Sequence, residues 1–219
     1  MNRIFLTVTA IAVIACQNRT NQETHQIEEP VPTEVVATKT QEKDTLNFNS
    51  LSPLGMELKK AISDPATDKY FIEIFNKGKA VSHPDDNKML SITDSLFSKD
   101  QNKDFFYFVV FSKSMDGADG YYSEAAGEKA TEFVLQKTER FADYFNIGPT
   151  LTDNDMRNWA RSIVGEIQIE REGEEAQAIN ELLSLLRANI RTGRKEYSTI
   201  IEKFIGHLKG IEKERITNH

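Results

Sequence analysis

Seven consecutive apolar residues, Phe105-Phe106-Tyr107-Phe108-Val109-Val110-Phe111, must lie inside whatever this chain folds into. Burying one such side chain stabilises a fold by about 1.5–3 kcal/mol, and a segment without a polar face has to be enclosed on all sides to collect that energy. Periodicity does not separate a buried strand from a buried helix in so short a run. Aromatic and β-branched residue types favour a strand. A single strand needs partners, however, and no second convincing strand occurs in the 219 residues. The run is therefore read as a central buried helix of an all-α domain. The alternative is an α+β fold in which residues 105–111 form a strand.

The rest of the domain carries the helical period. Met156, Trp159, Ala160, Ile163, Val164 and Ile167 follow the i, i+3, i+4, i+7 rule behind a Thr152-Asp153 cap signal. Ile179, Leu182, Leu183, Leu186 and Ile190 make a second stripe after Gly173, and Tyr197, Ile200, Ile201, Phe204, Ile205, Leu208 and Ile211 a third after Gly193. Three amphipathic helices joined by short glycine-containing turns are expected to be antiparallel neighbours. Upstream, Ser52-Pro53 and Asp64-Pro65 read as helix starts with proline in the first turn. Gly78 is placed to stop a helix containing Tyr70, Phe71, Ile74 and Phe75, and another helix should begin near Pro84 and carry Met89, Ile92, Leu96 and Phe97 inward. Tyr122, Ala126, Phe133 and Val134 and then Phe141, Tyr144 and Phe145 also read as helical, ahead of the breaker Gly148-Pro149. The expected fold is an irregular array of antiparallel helices over residues 48–219. Solenoid-like stacking is one arrangement open to it, although no fixed period proves repeats.

The N-terminus reads differently. Asn2 and Arg3 precede Ile4 to Ala15, a largely apolar and uncharged run of 12 residues. It is too short to cross a bilayer of ~30 Å as a helix and has the form of a secretion signal. It ends Val13-Ile14-Ala15-Cys16, which resembles the lipobox of bacterial lipoproteins. That resemblance implies a signal peptide over residues 1–15, diacylglyceryl transfer to the Cys16 thiol, cleavage before it, and acylation of the new amino group with chains such as palmitate. Several such chains would hold the protein on a membrane far longer than one, at ~0.8 kcal/mol per buried methylene. Residues 16–47 are rich in Gln, Asn, Thr, Glu, Lys and Pro and lack an aromatic. They are read as a disordered tether reaching roughly 30 Å.

The net charge is −7, and removal of a signal ending at Ala15 takes away Arg3 and no acidic residue, leaving −8. This balance argues against nucleic acid and anionic headgroups, which reward clustered Lys and Arg, and suits a basic protein partner better. Cys16 is the one cysteine, so there is no internal disulfide framework and no paired-thiolate metal site.

Motifs that carry chemistry are few. His25, His83, His207 and His219 do not pair at helical spacing, and there is no HExxH, GxSxG, GxxxxGK[ST] or strand-led GxGxxG motif. Asp116-Gly117-Ala118-Asp119-Gly120 departs from EF-hand spacing at Ala118 and Gly120 and reads as a turn between helices. Asp85-Asp86 and Asp153-Asn154-Asp155 stand at expected helix starts, where the macrodipole stabilises negative charge. Glu166, Glu170, Glu172, Glu174 and Glu175 form an acidic stretch around Gly173 that could receive a basic partner. Tyr121 and Tyr122 are adjacent, so both cannot face one core position and one is expected at the surface. Asp44-Thr45-Leu46 and Asp94-Ser95-Leu96 are similar to a short O-glycosylation motif of some Gram-negative bacteria. No catalytic residue, metal ligand or cofactor is assigned. The expected function is that of a membrane-anchored envelope lipoprotein acting as a protein-interaction module, of which an immunity-type protein is one version. The alternatives are a hydrolytic enzyme using dispersed carboxylates and a structural envelope component.

Overall fold

The computed structural model of the chain describes residues 52–217; the readings given above for the signal segment, Cys16, His25, residues 16–47 and His219 lie outside them. The described residues are all-α, with nine helices and no strand. In chain order these are α1 (Pro53–Ser63), α2 (Lys69–Lys77), α3 (Asp86–Ser95), α4 (Asp104–Ser114), α5 (Gly120–Gln136), α6 (Thr138–Asn146), α7 (Asp153–Glu170), α8 (Glu175–Ala188) and α9 (Lys195–Thr217).

The run at 105–111 is α4, and every residue from Phe108 to Ser114 is buried. A helix that is hydrophobic all round is stable only when neighbours cover it on all sides. Here α1, α2, α3 and α7 lie against it, and the Phe108 ring meets Phe133, Phe141, Tyr144, Phe145 and Trp159. Tertiary burial thus overrides the strand preference of these residue types. The start of the helix lacks a local side-chain cap, because Lys103 at the N-cap has no side-chain acceptor to offer. Glu57 of α1 takes that role across 48 residues of sequence, accepting from the Phe105 N–H at 2.6 Å, and burial raises its carboxyl pKa above the ordinary value.

The other ends follow local chemistry. Ser52 caps α1 by accepting from the Gly55 N–H at 2.9 Å, with Pro53 in the first turn. Gly78 closes α2 in the left-handed region at φ 66°, and Asp85 caps α3 by accepting from Asn87. Thr152 and Asp155 form a reciprocal capping box at the start of α7. One expected start is corrected: Pro65 does not open a helix. Asp64 ends α1 and accepts from the Ala66 N–H, which folds Asp64-Pro65-Ala66-Thr67 into a turn. Asp68, closer to the Tyr70-Phe71 stripe, caps α2 instead.

Helices far apart in sequence meet: α1 touches α4, α6 touches α9, and α5 touches α8. The array packs around α4, which α1, α2, α3 and α7 all touch. At the C-terminal end α7, α8 and α9 are mutually in contact. Asp153 near the start of α7 meets Lys203 and His207, and Arg157 one turn on meets Glu214. Helices α7 and α9 therefore run in the same sense, with α8 as the return segment.

Candidate functional site

Helices α5 and α7 approach each other closely at Gly127. A Cβ built there would sit 2.9 Å from both the Ser162 carbonyl oxygen and Glu166 Oε2, so only the absence of a side chain lets the two backbones come this near. That proximity brings together two acidic pairs, each one helical turn apart: Glu124 and Glu128 on α5, Glu166 and Glu170 on α7. Burial, followed by the charges of Glu170, Glu128 and Glu124, holds the Glu166 carboxyl above its ordinary pKa. Lys129 offsets part of this field by pairing with Glu128 at 3.2 Å and Glu132 at 2.9 Å. Like charges at i, i+4 spacing cost stability rather than supply it, so folding alone gives no reason for the cluster. Ile169, 63% exposed, stands beside Glu170.

The acidic stretch expected around Gly173 divides on inspection. Glu170, Glu172 and Glu174 are exposed and Glu175 is half-buried. Glu174 bonds Arg171 at 3.0 Å, and Glu175 accepts from the Gly173 N–H at 3.0 Å, which lowers its pKa. These two serve the turn between α7 and α8, whereas Glu170 joins the cluster on α5. The tyrosines separate as their adjacency requires: Tyr121 is 59% exposed, while Tyr122 is buried with its hydroxyl 2.5 Å from Ser114 Oγ. In the sequence, only their i, i+4 spacing around Gly127 marks Glu124 and Glu128 as a pair.

The remaining polar candidates occupy structural positions. Asp119 caps α5 by accepting from Tyr122, and the Asp116 carbonyl accepts from Ala80, so the 116–120 loop is a turn. His83 Nδ1 accepts from the Asp85 N–H at 3.1 Å, and its ring leans on Tyr70. Asp153 is held below the ordinary carboxylate range by Lys203 and His207, at 2.8 and 2.9 Å. Asp155 is different: it is buried and pairs at 2.7 Å with Lys113 of α4. Its Oδ2 also accepts from the Thr152 N–H and hydroxyl. In the Asp94-Ser95-Leu96 tripeptide the Ser95 hydroxyl donates to the Ile92 carbonyl and Leu96 is in the core. Among the described residues, no group of three or more His, Cys, Asp and Glu side chains could hold a metal ion, and no helix is long and apolar enough to cross a membrane.

Beside the acidic face, α7 lines a cleft of about 320 Å³ that it shares with the start of α5 and the end of α9. Asn158, Arg161, Ser162, Gly165, Glu166 and Ile169 face it from α7, a stripe at helical spacing on the side away from Trp159 and Ile163. No family model, no curated protein and no solved structure matches the chain, so its fold and surface chemistry carry the functional argument.

Proposed function

We propose that this chain is a lipid-anchored envelope protein whose helical domain binds a basic protein partner on the face formed by Glu124, Glu128, Glu166 and Glu170. The observation that carries this reading is the convergence of four carboxylates from two helices at the Gly127 contact, where their mutual repulsion costs folding energy. A partner presenting Lys or Arg would supply the missing counter-charges, and Ile169 at the edge would add apolar contact. Binding would draw the Glu166 pKa back down, so the complex is expected to release protons as it forms and to weaken as pH falls through the carboxylate range. The acyl anchor at Cys16 and the 16–47 tether would hold this face near the membrane while leaving it accessible.

The anchor is tested by metabolic labelling with a fatty acid. Wild-type protein is expected to take up label, and Cys16→Ser is expected to lose it and accumulate with an uncleaved or misprocessed signal. Equal labelling of the two would rule out the anchor. The face is tested by the double charge reversal Glu166→Lys/Glu170→Lys, which should lower recovery of the partner at least about tenfold. Added salt should weaken the wild-type complex, because exposed charges are screened over ~8 Å at physiological ionic strength.

A further inference from the structure

We infer that the cleft between the start of α5, α7 and the end of α9 is a binding site for a small zwitterion of the amino-acid type, carrying a carboxylate and an ammonium group. The cleft has two poles of opposite charge that do not neutralise each other. One pole is Arg161 and Arg215, and the other is Glu124 and Glu166. Neither arginine has a carboxylate within ion-pair distance among the described residues. Arg161 donates Nη1 to Asn158 Oδ1 at 2.8 Å, and Arg215 donates Nη1 to Gln168 Oε1. A guanidinium has five N–H donors in a planar fork, so most of each fork is left for a ligand. Arg215 reaches this position by lying over Gly165, where a built Cβ would be 3.5 Å from Nη2. Both guanidinium groups therefore lie along α7, Arg161 reaching back to Asn158 and Arg215 lying over Gly165 and Gln168.

A second, independent observation points to a ligand here. Asn158 lines the same cleft and is 3% exposed, yet its Nδ2 is buried with no hydrogen-bond partner. A buried polar group left unsatisfied costs about 1–3 kcal/mol. The Asn158 amide is sealed from water as it stands, so a small shift toward the cleft is needed for an acceptor oxygen held between Arg161 and Asn158 to remove that cost; a carboxylate supplies such an oxygen while also meeting the arginine fork. The ammonium of the same molecule would then face Glu166 and Glu124. The cleft volume is at the lower end of the ~300–1,000 Å³ usual for small-molecule sites, which favours a ligand of amino-acid or dipeptide size.

The test is side-chain ¹⁵N NMR on the full-length acylated protein in detergent, following Arg161 Nε and Asn158 Nδ2. The probes are L-alanine, alanyl-alanine, acetate and methylammonium. A zwitterion is expected to produce saturable shifts at both groups by about 10 mM, and acetate or methylammonium to bind at least about tenfold more weakly. Stronger binding of alanine would identify a free amino acid as the ligand source, and stronger binding of alanyl-alanine a peptide. Asn158→Asp, which replaces the free donor with a negative acceptor, should weaken the zwitterion at least about tenfold with unchanged circular dichroism, and Arg161→Gln should do the same. Absence of saturable shifts from both zwitterions, acetate binding as tightly as they do, or undiminished binding by Asn158→Asp would each overturn the site. The measurement contains no protein partner, so its failure leaves the acidic face to be judged by its own test.

Discussion

Lys113→Ala is expected to lower the unfolding free energy by about 3–5 kcal/mol, the loss typical when one member of a buried ion pair is removed. Lys113 is the sole charged residue between Asp104 and Ser114 that faces the interior, and its ammonium group meets Asp155 at 2.7 Å with both side chains close to fully enclosed. Removing it strands a carboxylate between α4 and α7. Asp155→Ala should cost at least as much, since it strands the ammonium and also removes the partner of Thr152 in the capping box, a cap contributing about 0.5–2 kcal/mol. Lys113→Met/Asp155→Asn should recover much of either loss, because no unpaired charge remains and Asn still serves the cap. Urea unfolding followed by far-ultraviolet circular dichroism checks all three. A Lys113→Ala protein within about 1 kcal/mol of wild type would show that water reaches the pair and that it does not tie α4 to α7.

Trp159→Ala is expected to cost about 3–5 kcal/mol, the range for emptying a large aromatic site in a core. The indole is fully buried. It stacks on Phe108 at a centroid distance of 5.1 Å and meets Phe111, Phe133 and Phe141, so one side chain joins α4, α5, α6 and α7. Its Nε1–H donates to Ser112 Oγ at 2.9 Å. Trp159→Phe keeps an aromatic and loses that bond with part of the volume, and should therefore cost clearly less than Trp159→Ala. Near-ultraviolet circular dichroism, which reports aromatic packing, should lose its fine structure in the alanine variant while helical content is retained. Equal costs for the two variants would mean that the hydrogen bond, and not the aromatic cluster, holds this part of the core.

Most of the helices were legible because their stripes and ends depend on information within a few residues. The Met156 to Ile167 stripe, the Thr152-Asp153 start and the Gly78, Gly173 and Gly193 ends all appear where local spacing placed them. Residues 105–111 were legible by exclusion, since a strand without partners has nowhere to put its backbone hydrogen bonds. What the sequence did not reveal depends on separation along the chain. Glu57 caps α4 from 48 residues away, and Lys113 finds Asp155 across 42. Asp155 therefore read as a cap alone. Pro65 misled because a proline after an aspartate suits a turn as well as a helix start. The acidic face was visible in half: Glu166 and Glu170 stood out within one stretch, while Glu124 and Glu128 become part of it only when Gly127 lets α5 meet α7.

Whether that face engages a basic protein is tested most directly by a photocrosslinking residue at Ile169 in intact cells. Leu185, equally apolar but on the exposed side of α8, serves as the control position. A crosslinked protein is expected from position 169 and not from 185, with the attachment mapping to a Lys- or Arg-rich segment of the captured chain. The product should be lost in the Glu166→Lys/Glu170→Lys background. Equal capture from both positions, or capture from 169 that survives the charge reversal, would contradict it.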